Sequence, residues 1–148
     1  FSNDAKGVEI LKKQLRDHNA VIRAVAVQLS GKQLDDKLRD EVLRLFREEN
    51  NWIVRQEVLH AVGTMRLRTL KPDLVQLIES DRASAEEKAA AIQSLVNLFE
   101  TADRNEVMRL ARCDRAGLRD VACQVVKFFL LTRDVDLIAP LINDGRPE

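Results

Sequence analysis

The chain has 148 residues, enough for one compact unit with a hydrophobic core. Its 24 basic and 24 acidic residues give a formal net charge of zero. This balance disfavours a nucleic-acid partner, because phosphate binding draws on a one-signed field. The chain contains no apolar run of about 18 residues and no signal-peptide pattern. We therefore expect no membrane insertion in this segment and a cytoplasmic location, either alone or as the cytoplasmic domain of a larger protein.

In chain order, the apolar pattern predicts four pairs of helices, each pair joined by a short polar turn. The turns contain Asp, Asn and Ser, which accept hydrogen bonds from free N–H groups at a helix start. Ser84 and Glu87 have the spacing of a capping box, and Pro72 fits the first turn of a helix. No segment carries a convincing strand signal. The first helix of each pair is defined by these apolar residues: Ile10, Leu11 and Leu15; Leu38, Val42, Leu45 and Phe46; Leu74, Leu77 and Ile78; and Val107, Met108 and Leu110.

The second helix of each pair opens with a basic residue, and these residues recur at intervals of about 32, which is typical of stacked helical repeats. Counted from the basic residue, positions three, four and seven are small or apolar and share one helical face, so we expect them, and Leu59 above all, to be buried. Gly31 and Gly63, at position eight, suit a helix end or a close crossing. Position three is Ala26, Val58, Ala91 and Ala122; position four is Val27, Leu59, Ile92 and Cys123; position seven is Ser30, Val62, Leu95 and Val126.

The last predicted helix, Asp136–Ile142, would be the first helix of a fifth repeat that stops part-way. We therefore expect a single domain that is a fragment of a longer protein. Its repeats are placed at about 5–32, 34–65, 70–100 and 102–132, with a partial repeat at 134–148. Apolar residues of the incomplete repeat would favour self-association, because terminal repeats normally carry a polar outer face. These residues are Leu137, Ile138, Leu141 and Ile142.

The repeated pattern resembles the HEAT repeat, in the short form found in bilin-lyase-type HEAT-like proteins. The matching stretches are IRAVAVQLSG (22–31) and VRQEVLHAVG (54–63), with weaker copies EKAAAIQSLV (87–96) and LRDVACQVVK (118–127). The third copy lacks an aliphatic residue before Lys88, and the last two copies lack the glycine. The resemblance covers nearly the whole chain and implies an all-α fold. That fold is a right-handed α-solenoid, an α–α superhelix of the armadillo/HEAT type, with about four and a half helix–turn–helix repeats.

The four basic residues, Arg23, Arg55, Lys88 and Arg119, have two interpretations. They could form a ladder that binds an anionic partner. Alternatively, each could bind acidic or carbonyl groups of the inter-helix turns through charge-assisted hydrogen bonds. The resemblance favours this structural ladder, because the equivalent arginine of HEAT-like proteins usually binds in this way. The acidic turn residues are Asp17, Glu49, Asp81 and Asp114.

A second set of polar side chains lies off the apolar stripe, at positions one and five of the second helices. Position five lies roughly 100° around the helix from position four and roughly 160° from position three. The resemblance implies that second helices line the concave face, so these side chains would form a row along it, suited to peptide backbone or polar side chains. An ordinary solvated surface is the alternative. We call the following six residues the polar row: Gln28, Gln56, His60, Gln93, Asp120 and Gln124.

The remaining candidate residues have structural explanations. We expect Trp52 to pack on its neighbour and cap the solenoid edge, although an exposed Trp could serve as a binding hot spot. Cys113 and Cys123 have no metal or redox spacing and are expected to be buried free thiols. His18 and His60 lack the partners of a metal site. Without a phosphate loop or nucleophile elbow, the sequence assigns no catalytic residue, metal ligand or cofactor-binding residue, and no cofactor is expected.

The leading hypothesis is a non-enzymatic scaffold that binds another protein or peptide on the concave face. The resemblance leaves two enzymatic alternatives, because bilin lyases attach tetrapyrroles to cysteines and some HEAT-like proteins are DNA glycosylases. A glycosylase would need a basic groove with aromatic residues, whereas the polar row is mostly neutral. A third alternative is a regulatory segment of a larger multidomain protein. The fold alone decides none of these, because one fold supports many activities.

Overall fold

The computed structural model describes residues 2–33, 35–100 and 103–131. Within these ranges the chain forms α-helices and one short 3-10 helix at Arg68–Leu70, and no strand, which confirms the all-α prediction. The helices alternate between first and second members of a repeat. Their bounds are α1 (Ser2–Gln14), α2 (Ala20–Ser30), α3 (Asp36–Glu48), α4 (Trp52–Thr64), α5 (Lys71–Glu79), α6 (Ala85–Leu98), α7 (Arg104–Ala111) and α8 (Ala116–Leu131).

The polar turns begin the next helices through side-chain caps. The Asn19 side chain accepts a hydrogen bond from the backbone N–H of Val21 at 2.9 Å, and Asn51 does the same for Ile53 at 3.0 Å. Ser84 and Glu87 form the predicted capping box at the start of α6. Pro72 lies in the first turn of α5, as predicted. Each cap satisfies an N–H group that has no partner within its own helix.

The second helices form the centre of a continuous stack, in which α2 packs on α4, α4 on α6, and α6 on α8. All four position-three residues are buried, and Leu59 is only 2% exposed, which confirms the helical phase that the repeat predicted. The small side chains at position three let neighbouring helices approach closely. Position four follows the prediction less well towards the end of the stack, because Ile92 is half-buried and Cys123 is exposed.

Two second helices approach each other closely at Gly63 in α4. A Cβ atom on Gly63 would lie 3.0 Å from Cα of Ser94 in α6, which is tighter than ordinary van der Waals contact. The buried Ser94 hydroxyl donates a hydrogen bond to the Leu59 carbonyl, so a polar contact joins the same two helices. Gly31 differs from Gly63, because it is the C-cap residue of α2. A Cβ atom on Gly31 would make only ordinary van der Waals contacts.

The end of α4 turns through a residue with a left-handed backbone. Arg66 has a φ angle of 54°, and its N–H donates to the Gly63 carbonyl at 3.2 Å. The next N–H, that of Leu67, reaches back to the Val62 carbonyl at 3.0 Å. This pair of bonds is a Schellman motif, in which the left-handed position is usually glycine. Leu67 is buried and completes the motif with an apolar contact.

The predicted partial repeat at 134–148 and the self-association through it lie outside the described residues. The prediction that Cys123 is a buried thiol is wrong, because its side chain is exposed. Position four is covered by the following repeat in α2 and α4, but no repeat follows α8 within the described part of the chain. Cys113 is half-buried, and its thiol donates to the Arg115 carbonyl. No helix in the described ranges combines the length and apolarity needed to cross a membrane.

Candidate functional site

Arg23 connects the first turn of the stack to the second. Its Nη1 donates to the backbone carbonyls of Asp17 at 2.7 Å and His18 at 3.0 Å, within its own repeat. Its Nε and Nη2 donate to the two carboxylate oxygens of Glu49 in the next repeat, at 2.8 and 3.1 Å. Such a two-pronged arginine–carboxylate contact is both strong and geometrically specific. We call this arrangement an arginine clamp.

Arg55 repeats the clamp one step along the stack. Its Nη1 donates to the Glu49 carbonyl at 3.0 Å, and its Nε donates to the Glu87 carboxylate of the third repeat at 2.7 Å. The Glu49 carboxylate also accepts the backbone N–H groups of Asn50 and Asn51, at 3.1 and 2.9 Å. Glu49 therefore serves both clamps, the first with its side chain and the second with its backbone.

The clamps change the acidity of their carboxylates. Burial raises the pKa of Glu49, but hydrogen bonds from Arg23 and from the N–H groups of the turn outweigh it and leave that pKa below its ordinary value. For Glu87, the hydrogen bond from Arg55 is the largest effect and also lowers the pKa. Both carboxylates are thus held in the charged form by the fold.

The other two basic residues of the predicted ladder make fewer contacts. Arg119 donates from Nη1 to the Cys113 carbonyl at 2.9 Å, which is the same turn contact that Arg23 and Arg55 make. The Lys88 side chain forms no hydrogen bond or ion pair with the residues that the structure describes. Within the same ranges, Asp81 and Asp114 do not receive the basic side chains that the sequence assigned to them. The arginine clamp therefore joins the first three repeats, and the fourth keeps only its within-repeat part.

A different set of ion pairs joins the third and fourth repeats, on the side of the first helices. Arg68 binds Asp103 with Nη2 at 2.8 Å from Oδ2, and Lys71 binds Glu106 at 2.7 Å. The Arg115 guanidinium also donates to the Glu79 carboxylate. The paired residues lie 35 or 36 positions apart, about one repeat, but the same charges do not recur in the other repeats, so sequence periodicity could not indicate them.

The polar row occupies the exposed side of the second helices. Gln28, His60, Gln93 and Asp120 are exposed, whereas Gln56 and Gln124 are half-buried. Two glutamines of the row donate side-chain hydrogen bonds within this surface. Gln56 donates to the Glu86 carbonyl at 3.4 Å, and Gln124 donates to the Asp120 carboxylate at 3.2 Å. The remaining amides are accessible to a ligand, although exposure alone does not distinguish them from a solvated helix surface.

A groove of about 370 Å³ runs between α2 and α4 on this side of the stack. Two members of the row, Gln28 and His60, line it together with the charged side chains of Lys32 and Glu57. The groove therefore offers an amide, an imidazole and one charge of each sign along a path between two helices. This mixture is suited to a polar or zwitterionic strand of peptide rather than to a polyanion.

A second cleft of about 460 Å³ lies between the first two turns. Its arginines are already neutralised by carboxylates of the same surface: Arg16 binds Glu41 at 2.6 Å, and Arg44 binds the other Glu41 oxygen at 3.1 Å. Burial raises the pKa of Glu41, yet the two arginines outweigh it and lower that pKa overall. The arginines of the cleft are thus paired with carboxylates of the same surface, beside the clamp.

Trp52 does not cap the solenoid edge, and that prediction is wrong. It is the first residue of α4 and is 72% exposed. The residues at the same place in the neighbouring second helices are Ala20 and Ala85, which are too small to cover an indole ring. The alternative that the sequence left open, an exposed aromatic anchor at the edge of the stack, agrees with this geometry.

The histidines and cysteines lie apart from one another. His18 is exposed in the first turn, where its carbonyl serves the Arg23 clamp, and His60 lies in the polar row. Across the described ranges, no group of three or more His, Cys, Asp or Glu side chains could hold a metal ion.

Comparison with protein families supports the architecture. The family model for HEAT repeats matches residues 8–96, which span the three repeats joined by arginine clamps. A comparison with curated proteins found no match. The helix pairs, the buried positions of the second helices and the family match agree with one another. The chain belongs to the HEAT-repeat family.

Proposed function

We propose that this chain is a non-enzymatic interaction scaffold that holds another protein or peptide on its concave face, along the polar row. HEAT repeats generally serve as protein-interaction scaffolds. The proposal rests mainly on one observation, the groove between α2 and α4 where Gln28 and His60 meet Lys32 and Glu57. Stacked repeats produce a long curved surface, and an extended partner can contact several repeats at once.

The chemistry of the row favours a peptide over the alternative ligands. Glutamine side chains both donate and accept, so they can pair with the N–H and C=O groups of an extended backbone. Lys32 and Glu57 would select charged side chains of the partner by complementarity. Trp52 supplies an exposed aromatic group at the start of α4, one of the two helices that line the groove. Large aromatic residues are frequent binding hot spots.

The rigidity of the scaffold follows from the clamps. Arg23 and Arg55 link successive repeats through charged hydrogen bonds, two from Arg23 to Glu49 and one from Arg55 to Glu87. A partner that binds across repeats then loses less entropy, because the surface is already ordered. We therefore assign the clamps a supporting role in the function and the polar row a direct one.

The test is quantitative capture from lysate of the source cells, followed by binding measurements with the purified partner. Gln28→Arg, His60→Glu and Gln93→Arg should each weaken the complex, by about 1–3 kcal/mol where the side chain is fully covered by the partner. Gln76→Arg is the matched control, because Gln76 is an exposed glutamine on α5, in the other layer of helices. The control should bind as tightly as the wild-type chain.

Three results would count against the proposal. Binding that survives all three row substitutions would place the partner on another surface. Recovery of nucleic acid, released with increasing salt, would indicate a phosphate-binding mode instead. Recovery of a coloured tetrapyrrole would favour the lyase alternative.

A further inference from the structure

The first three repeats present polar side chains one helical turn beyond the polar row. Gln28, His60 and Gln93 stand at position five of these repeats, and each is followed four positions later by another exposed polar residue. Residues four apart share one side of a helix. We call these later residues the second row: Lys32, Thr64 and Asn97. Three adjacent repeats therefore each offer a pair of polar side chains on the same surface.

The two rows lie side by side on the stack. Both rows line the groove between α2 and α4, through Gln28, Lys32, His60 and Thr64. Val27 and Ala61 also line this groove and are buried, so its floor is apolar and small. At the next junction, the side-chain nitrogen of Asn97 lies 3.1 Å from where a Cβ atom of Gly63 would stand. Asn97 thus lies against the end of α4, and the second row continues onto α6.

Most side chains of the two rows have no partner inside the described part of the chain. Those that form no hydrogen bond or ion pair there are Gln28, Lys32, His60, Gln93 and Asn97. The cleft between the first two turns differs, because its Arg16 and Arg44 already bind Glu41. Amide, imidazole and ammonium groups all donate hydrogen bonds. The two rows therefore offer donors to a ligand that is rich in acceptor oxygens.

Lys32 gives this surface an unpaired positive charge. An ammonium group without a partner favours a ligand that brings a carboxylate to it. Glu57, the acidic residue of the same groove, stands three residues before His60, whereas Thr64 of the second row stands four residues after it. Glu57 thus lies on the opposite side of the polar row from the second row. A ligand carboxylate beside Lys32 would not meet Glu57 directly.

The spacing of the helices selects the conformation of a chain that crosses them. Packed helices lie about 8–10 Å apart. A polyproline II chain rises about 3.1 Å per residue with three residues per turn, so residues three apart face the same way at about 9.3 Å. In a β-strand, whose side chains alternate, residues three apart face opposite ways. Only the polyproline II chain keeps one side chain in three in register with successive helices.

We propose that the partner segment crosses α2, α4 and α6 as a polyproline II chain between the polar row and the second row, three residues to a repeat, with a carboxylate side chain beside Lys32. This inference rests on the proposed function and adds the conformation and charge of the bound segment. The backbone of a polyproline II chain has no internal hydrogen bonds, so its carbonyls can accept from both rows. Such a segment is also ordered before it binds, which lowers the entropy cost of binding.

The test is a nuclear magnetic resonance titration with three synthetic peptides that are blocked at both ends. The first is Glu-Pro-Pro-Gln-Pro-Pro-Gln-Pro-Pro, which repeats its polar residues every third position. The second, Glu-Pro-Gln-Gln-Pro-Pro-Pro-Pro-Pro, has the same composition without that spacing. The third is the first peptide with Gln in place of Glu. The chain has two histidines, so the imidazole signal of His60 should move on binding while that of His18 serves as the internal control.

The first peptide should bind at least about fivefold more tightly than the second, because all three of its polar side chains reach a repeat. It should bind about threefold more tightly than the third, and Lys32→Gln should abolish this preference. Lys13→Gln is the matched control, since Lys13 is an exposed lysine of α1 in the other layer of helices, and it should keep the preference. Both variants should keep the helical circular-dichroism spectrum of the wild type.

Each part of the inference can fail separately. Equal affinity for the first two peptides would overturn the three-residue register, and a carboxylate preference that survives Lys32→Gln would overturn the placement of the charge. A His60 signal that no peptide moves would overturn the inference as a whole. The proposed function is decided independently, by capture of the whole partner and the substitutions in the polar row.

Discussion

The junctions between the first three repeats differ from the junction between the third and fourth in where their charges lie. The first two junctions are held at the turns, by Arg23 on Glu49 and Arg55 on Glu87. The last has no such clamp among the described residues and is held by other pairs, Arg68 on Asp103, Lys71 on Glu106 and Arg115 on Glu79. The apolar packing of the second helices continues through all of them.

The comparison distinguishes the apolar packing that stacks the helices from the ion pairs that link one repeat to the next. Buried small and aliphatic side chains recur in every repeat, whereas the clamp does not, so the helices stack at the last junction without a clamp. The described residues form no clamp at the last junction, where Lys88 replaces arginine and the fourth repeat has Cys113 and Leu118 at the positions of Glu49 and Glu87. The HEAT-repeat match, at residues 8–96, covers the clamped repeats and stops before the fourth. The matched segment is thus the part of the chain that has both the buried apolar positions and the arginine clamps.

The largest expected effect tests the feature that all junctions share. Leu59→Ala should lower the free energy of unfolding by about 2–5 kcal/mol, because it leaves a cavity between buried helices. Chemical denaturation measures this directly. Gln93→Ala, at an exposed site of the next second helix, should change it by less than about 0.5 kcal/mol. Equal effects at the two sites would contradict the helical phase that the burial of Leu59 indicates.

The second-largest effect is expected from removing the Glu49 carboxylate of the arginine clamp. Glu49→Gln should cost about 1.5–3 kcal/mol at neutral pH, since it removes charge-assisted hydrogen bonds at a site that is largely shielded from solvent. Asp114→Asn is the control, because this exposed turn residue lies in the fourth repeat, where no clamp forms among the described residues. The control should be close to neutral in a denaturation experiment. An equal loss in both variants would remove the distinction between the junctions.

The clamp also predicts a pH dependence. The pKa values of Glu49 and Glu87 are lowered by folding, so their contribution to stability is present above the ordinary glutamate pKa of 4.5. It is lost as the pH falls below that value and through the folded-state pKa. The wild-type free energy of unfolding should therefore decline in this acid range, and Glu49→Gln should decline less. Parallel pH profiles for the two proteins would show that the Glu49 carboxylate is not coupled to folding.

A third test compares the two glycines of the first junctions. Gly63→Ala should destabilise the chain by about 1–3 kcal/mol, because its methyl group would press on the α6 backbone. Gly31→Ala should be tolerated, since the nearest atom to its Cβ would be 3.5 Å away. Thermal denaturation of both variants decides the point. A stable Gly63→Ala protein would mean that α4 and α6 can separate slightly without loss of packing.

The smallest effect concerns the end of α4. Arg66→Gly should stabilise the chain by about 0.5–1 kcal/mol, because glycine adopts the left-handed backbone without the Cβ penalty. The substitution also removes an ion pair, in which the Arg66 guanidinium lies 4.0 Å from the Glu100 carboxylate at the exposed surface. Such surface pairs contribute little to stability. A destabilised variant in chemical denaturation would assign that pair a larger role.

Periodicity in the sequence predicted the helix pairs and the buried positions, because both depend on residues that repeat. Ala26, Val58, Ala91 and Ala122 are buried as their spacing required. Periodicity could not predict the exposure of Trp52, because no other second helix begins with a large residue: Ala20 and Ala85 stand at the same place. Nor could it find Arg68 and Asp103, since a pair that occurs once leaves no pattern. The binding role of the polar row stays a prediction.

The main helix–helix contacts of this molecule join helices of the same repeat or of adjacent repeats. Each segment is therefore stabilised mainly by its immediate neighbours. Among the described residues, α4 and α6 each pack against two other second helices, whereas α2 packs against α4 alone in that layer. Amide hydrogen exchange of this 148-residue chain should accordingly be slowest in α4 and α6 and faster in α2, because opening α2 breaks one of these interfaces and opening α4 or α6 breaks two. Since contacting residues are close in sequence, folding should also be fast for a chain of this length.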